Sequence, residues 1–222
     1  MYATAISNAV DQRWKADREK MYLEIVKKYD KAERMVFPEL AADVVNAFEA
    51  DRNQDFLGSV YMELGLGDHW KGQFFTPYDV CRCMAELTTG NVVEQINRDG
   101  FVTLNDCACG AGATLIAAVN QIETQLHEAK SPLNWQNHVL VTAQDLDFTT
   151  GMMCYIQLSL LGCAGYVKIG DSLTDPMHHG DDQKAYWYTP MYFSTVWRLR
   201  RVFRNMDSSF AKAEAKPPGG SE

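Results

Sequence analysis

The chain has 222 residues, 46% of them hydrophobic, and a formal net charge of -8, which fits one domain, or one domain with a helical preface, and a real core. No run approaches the roughly 18 to 20 apolar residues of a membrane span, and the polar start from Met1 to Lys20 has no apolar h-region, so no signal peptide is readable and a cytoplasmic protein is expected. The acidic balance excludes strong non-specific binding to a phosphate backbone, which relies on Lys and Arg displacing counterions; a nucleic-acid partner would need a local basic patch or a partner subunit.

The first 65 or so residues read as helices. Trp14, Met21, Ile25 and Tyr29 recur at three- and four-residue steps in a charged stretch from Val10 to Tyr29, as on one helical face. Pro38 suits the first turn of a second helix running to about Phe48. A third begins near Asp55, presents Phe56, Leu57, Val60, Tyr61 and Leu64, and ends at Gly65 and Gly67. The expected division is a helical segment over 1–70, an α/β domain over 71–211 and a disordered tail over 212–222, where Pro-Pro-Gly-Gly-Ser stands among few apolar residues.

From Lys71 the pattern changes. Gly72 to Pro77 is a loop, and Pro77 opens a helix from Tyr78 to Leu87. Strands are expected at Phe101–Asn105, His138–Ala143 and Tyr166–Ile169, with helices at Thr114–Glu128 and Phe148–Leu161 between them. This alternation predicts a parallel sheet with covering helices. Six cysteines include the pairs Cys81/Cys83 and Cys107/Cys109, each with one residue between rather than the two of a zinc pair. They read as small buried hydrophobes, and no metal site is expected; His178 and His179 read as a polar loop.

Ligands of an open parallel sheet bind beyond the carboxyl ends of its strands. After the first strand stands Asp106-Cys107-Ala108-Cys109-Gly110-Ala111-Gly112. Two glycines one residue apart permit close backbone approach, and the following helix aims free amides at the same spot, which suits a carboxylate. Leu115 stands where a dinucleotide fingerprint needs its third glycine, which argues against NAD. After the second strand, Asp145 of Asp145-Leu146-Asp147 can accept from both ribose hydroxyls; after the third, Asp171 can accept from an exocyclic amine. Each alone also reads as a helix cap or a turn. Their succession at three strand ends suits an adenosine ligand.

With those residues in view, Asp55 to Pro176 resembles the N6-adenine DNA methyltransferases typified by the modification subunits of type I restriction systems. Asp55-Phe56-Leu57-Gly58 with Tyr61 and Glu63 is similar to the family's segment before the cofactor site. Gly72-Gln73-Phe74-Phe75-Thr76-Pro77 resembles its Gly-Gln-Phe-Tyr-Thr-Pro motif. Asp106 to Gly112 resembles Asp-Pro-Ala-Cys-Gly-Thr-Gly, with Cys107 for proline and Ala111 for threonine. Gln144-Asp145 and Gly170-Asp171-Ser172-Leu173 resemble the ribose- and adenine-contacting pairs. The resemblance implies a shortened Rossmann-like methyltransferase sheet and S-adenosylmethionine (SAM) as cofactor. It places Gln73, Phe74, Phe75, Thr76, Asp106, Cys107, Ala108, Cys109, Gly110, Gly112, Asp145, Leu146, Asp171, Ser172 and Leu173 around the cofactor, and implies DNA as partner.

The family's catalytic Asn-Pro-Pro followed by an aromatic residue is absent from the chain. Its nearest counterpart is Tyr186-Trp187-Tyr188-Thr189-Pro190, which makes Tyr188, Thr189 and Pro190 the candidate acceptor loop. The aromatic residues there fit either stacking on a flipped base or packing of a fourth strand. Arg198, Arg200, Arg201 and Arg204 form one basic cluster on an expected helix, suited to phosphates, to solvent or to an acidic partner. Two functions stand open: a SAM-dependent adenine N6-methyltransferase of DNA, or a catalytically inactive SAM-binding accessory or regulatory subunit in DNA modification or anti-restriction. In either, a partner subunit or a homo-oligomer is expected, and a different chain that carries the asparagine motif would reconcile the two.

Overall fold

The computed structural model describes residues 1–66, 75–178 and 180–203. The expected boundary at residue 70, the tail over 212–222, His179, Arg204 and the Gln73 and Phe74 side chains lie outside the described residues.

Four helices open the chain: α1 (Tyr2–Val10), α2 (Lys15–Val26), α3 (Lys31–Ala50) and α4 (Phe56–Glu63). The single expected helix from Val10 to Tyr29 is instead a break followed by α2. At that break Asp11, fully buried, accepts from the Arg18 guanidinium at 3.1 Å and from the Arg13 backbone amide at 3.1 Å. Pro38 lies inside α3 rather than in its first turn. Asp30 starts that helix with a capping box, accepting from Ala32 and Glu33 amides while the Glu33 carboxylate accepts from the Asp30 amide, and this signal outweighs the proline.

The α/β part follows as α5 (Tyr78–Thr88), α6 (Val92–Asp99), β1 (Val102–Asp106), α7 (Ala113–Glu128), β2 (Val139–Asp145), α8 (Phe148–Leu160), β3 (Ala164–Ile169), β4 (Tyr186–Tyr188) and α9, described over 195–203. Helix α6 was not expected from periodicity. It is an eight-residue element capped by the Asn91 side chain and closed by Gly100 at φ +81°, burying Val92 and Ile96.

The sheet order is β1-β2-β3-β4. Strands β1 to β3 run parallel, in register from Val102↔Val139 and Leu140↔Ala164. The all-parallel expectation fails at β4, which pairs antiparallel with β3 through Tyr166↔Tyr188 and Lys168↔Tyr186. Strand side chains alternate between faces. One face carries Val102, Leu104, Val139, Val141, Ala143, Val167 and Trp187, which join residues of α7 and α8 in the main core. The same core takes Ala3, Val44 and Phe48 from the N-terminal helices, so these helices pack on the sheet domain. The other face carries Thr103, Asn105, Leu140, Thr142, Gln144, Tyr166, Lys168, Tyr186 and Tyr188. No described helix is long and apolar enough to cross a membrane.

All six cysteines are free thiols. Four are buried, as expected, but Cys83 and Cys107 are exposed.

Candidate cofactor site

The parallel run of β1, β2 and β3 brings Asp106, Asp145 and the Gly170-Asp171 turn to one edge of the sheet. The loop after β1 is shaped by Gly110 (φ +53°) and Gly112 (φ +101°), conformations that side-chain-bearing residues rarely adopt. Asp106 holds this loop from below: one carboxylate oxygen accepts from the Ala108 amide at 3.0 Å, the other from the Thr114 hydroxyl.

Asp145 ties the second strand end to the first. Its carboxylate accepts from the Gly110 amide at 2.7 Å, and from the Asp147 amide and the Thr150 hydroxyl at 2.9 Å each. Of about four acceptor positions on a carboxylate, three are engaged. Asp147 then caps α8 through the Thr149 and Thr150 amides. Asp171 accepts from the Leu173 amide at 2.8 Å, and this bond holds its carboxyl below the ordinary range.

A cavity of about 80 Å³ opens beside the glycine loop, lined by Asp55, Phe75, Thr76, Asp106, Ala108 to Ala111, Ala113 and Thr114. Its walls come from three separate stretches of chain. A Cβ on Gly110 would stand 3.4 Å from the Phe75 ring, so the ring lies directly over the loop. Cys109 is buried behind the loop while Cys107 and Ala108 are exposed in front of it. Farther along the strand ends, Leu146 is 72% and Leu173 90% exposed. Ser172 stands between Asp171 and Leu173, partly buried.

Sequence reasoning did not single out Gln157 and Lys168, and it named Gln144 only as the neighbour of Asp145 in the ribose-side pair. Gln157, fully buried on α8, donates to the Asp55 carboxylate and to the Ala111 carbonyl at 2.7 Å each, and accepts from the Leu57 amide. It joins α4 to the glycine loop. Gln144 donates to the Gly170 and Asp175 carbonyls, and the Lys168 ammonium donates to the Asp175 and Pro176 carbonyls and to the carboxylates of Asp175 and Asp181. These two hold the loop that carries Asp171. Polar residues inside a strand were the available signal: Gln144 and Lys168 interrupt otherwise apolar runs. Asp55 is 5% exposed, and burial raises its carboxyl above the ordinary carboxylate value.

The structure does not bring Tyr188, Thr189 and Pro190 to this site. Because β4 is antiparallel, Tyr188 pairs with Tyr166 near the start of β3, and the Thr189 hydroxyl donates to the Cys163 carbonyl and accepts from the Gly165 amide. These residues therefore stand at the opposite pole of the sheet from the Asp171 turn. Thr189 is fully buried and braces the amino end of β3.

Fold and site together define an α/β protein with a four-stranded open sheet and a cavity beside the loop that follows its first strand. The model of the N-6 DNA Methylase family matches residues 52–221, and the chain belongs to that family. No curated protein and no solved structure matches it.

Proposed function

We propose that this chain is the SAM-binding part of an N6-adenine DNA methyltransferase, on a Rossmann-like sheet, and that it does not transfer methyl groups unaided. The observation that carries the reading is the separation of two things the reaction needs together. The cofactor motifs share one edge of the sheet, and the nearest counterpart of the acceptor motif sits at the other pole.

The residues at the cleft fit the cofactor. The free amides at the start of α7 suit a carboxylate, Asp145 has an acceptor position left for a ribose hydroxyl, and Leu146 and Leu173 suit the faces of an adenine. Phe75, Thr76 and the motif residues Gln73 and Phe74 would close the methionine end. SAM, when bound, supplies an electrophilic methyl group on a sulfonium. The chain's own part is to hold and orient that group and to exclude water, Gln157 and Asp145 fixing the loop, Lys168 and Gln144 fixing the adenine side. An amine is aimed in line by acceptors placed beside it, and among the described residues no asparagine-proline pair stands at the cleft to do so. A partner subunit carrying the asparagine motif would supply that loop and the contacts to DNA.

The test is isothermal titration with S-adenosylhomocysteine, together with methyl transfer from labelled SAM to unmodified genomic DNA, with and without the products of neighbouring genes. The reading expects saturable binding with micromolar affinity, about -7 to -8 kcal/mol, and no adenine methylation by the pure chain. Absence of binding at millimolar ligand would remove the cofactor role. Turnover by the chain alone would remove the claim of dependence on a partner.

A further inference from the structure

The run Tyr186-Trp187-Tyr188 divides between the two faces of the sheet. Trp187 is buried in the core, edge-on to Tyr155 and with the Arg18 guanidinium 4.4 Å over its ring. Tyr186 and Tyr188 point to the other face. There they meet Tyr166 of β3 at 5.5 Å each, and Tyr192 of the following turn stands 4.7 Å from Tyr188. These four rings line a cavity of about 520 Å³ whose remaining wall is the loop carrying Met177, His178, Gly180, Asp181 and Gln183. The cavity shares no residue with the cleft at the strand ends.

Its chemistry is specific. Four phenol rings offer flat, polarizable walls, and burial pushes the Tyr188 hydroxyl up to about 12, so it remains a donor at neutral pH. Asp181 and Gln183 offer hydrogen-bonding groups at the loop wall. Cations stand behind the rings on the Tyr188 and Tyr192 side of the cavity. Arg13 lies 4.9 Å over the Tyr188 ring and donates to the Gln183 side chain at 2.8 Å; Arg201 lies 4.0 Å over the Tyr192 ring. Arg13 shares the single carboxylate of Asp11 with Arg18, so that trio carries a net positive charge. Asp181 accepts from Lys168 and from the Tyr186 hydroxyl, and Lys168 is shared with Asp175, so the loop wall keeps a negative charge and the cationic side is that of Arg13 and Arg201. A volume of this size suits a ligand of a few hundred daltons.

We infer that this tyrosine-walled cavity is a second binding site, separate from the cofactor cleft, for a planar heteroaromatic ring bearing an anionic group: the base and phosphate of one nucleotide, either free or within a single strand. The ring lies against the tyrosines, as bases do on aromatic platforms, and the phosphate faces Arg13 and Arg201. The inference does not depend on SAM binding elsewhere in the chain.

The probes are thymidine monophosphate and a ten-residue oligothymidylate, titrated into the full chain by calorimetry at two salt concentrations. Thymine lacks the exocyclic amine that Asp171 would accept from, which keeps the strand-end cleft out of the measurement. Saturable binding of either probe is expected. Tyr192→Ala should weaken it roughly 5- to 100-fold, the usual effect of removing one stacking ring. Arg13→Ala, at a side chain 49% exposed, should weaken it about 2- to 5-fold and flatten its salt dependence. Tighter binding of the oligomer identifies a strand as the source; equal binding identifies the free nucleotide; both uphold the site. No saturable binding of either probe at millimolar concentration overturns it, and so does binding that both variants leave unchanged. Arg13 lies at the surface and decides the matter if Tyr192→Ala does not fold.

Discussion

Replacing Asp145 with alanine removes the carboxylate on which the second strand end and the glycine loop converge. Three hydrogen bonds are lost, at 2.7, 2.9 and 2.9 Å, but they do not weigh equally. The Thr150 hydroxyl already has a second acceptor in the Asp147 carbonyl at 3.2 Å, and the Asp147 amide sits at a helix end where water can reach it. The Gly110 amide, part-buried in the loop, is left with nothing. One such loss costs about 1 to 3 kcal/mol, and a central value of about 2 kcal/mol lowers the melting temperature of a chain this size by roughly 4 to 8 °C. Binding should suffer separately. If the remaining acceptor position serves a ribose hydroxyl, affinity for S-adenosylhomocysteine falls by a further 1.5 to 3 kcal/mol or so, about 10- to 150-fold. Asp145→Asn keeps an oxygen for Gly110 and should recover much of the thermal loss without the full affinity. Calorimetric unfolding and titration of the parent and both variants separate the two effects. A variant that melts early yet binds like the parent would refute the ribose role and leave Asp145 as a loop clamp alone.

Gly112→Val acts through the fold. A Cβ there would stand 3.0 Å from the Cys154 sulfur at φ +101°, so thermal unfolding should show a loss of roughly 2 to 5 kcal/mol; a variant as stable as the parent would show that the loop relaxes freely. Arg18→Met leaves the buried Asp11 carboxylate without its main partner and removes the bond to the Tyr186 carbonyl. It should cost about 3 to 5 kcal/mol and expose α1 and α2 to limited proteolysis, and an unchanged cleavage pattern would contradict that docking role. Asp55 tests pH. Burial raises its carboxyl above the ordinary 3.8, so the folded chain binds that proton more tightly than the unfolded one, and stability falls as pH rises through the raised value. Asp55→Asn keeps an acceptor for Gly58 and Gln157 and should melt above the parent near neutral pH, with the gain gone by about pH 3. A gain that persists in acid would assign it to packing instead.

Much of the sheet was legible in the sequence, because its signals are local. Apolar runs bounded by glycine and acid mark β1, β2 and β3 within a residue or two, and the helices between them show their own periodicity. The same short-range punctuation places Asp106, Asp145 and Asp171 at successive strand ends, since parallel strands joined by helices bring those ends to one edge. The capping box of α3 was equally local, and reading Asp30 with Glu33 would have corrected the position given to Pro38.

What only the tertiary structure decided depends on partners far apart in the chain. The reversal of β4 is a pairing choice against β3, and no feature of Tyr186 to Tyr188 announces it; yet that reversal takes Thr189 and Pro190 from the cleft and turns two tyrosines toward a separate cavity. The Asp145 carboxylate meets an amide 35 residues away, and Gln157 reaches 46 residues to the glycine loop and 102 to Asp55. The position of Gly112 against Cys154 likewise follows from how α8 lies beneath the loop. Periodicity records which face of an element is apolar. Which side chains meet across that face is set by the route of the whole backbone, and that route exists only once the core has closed.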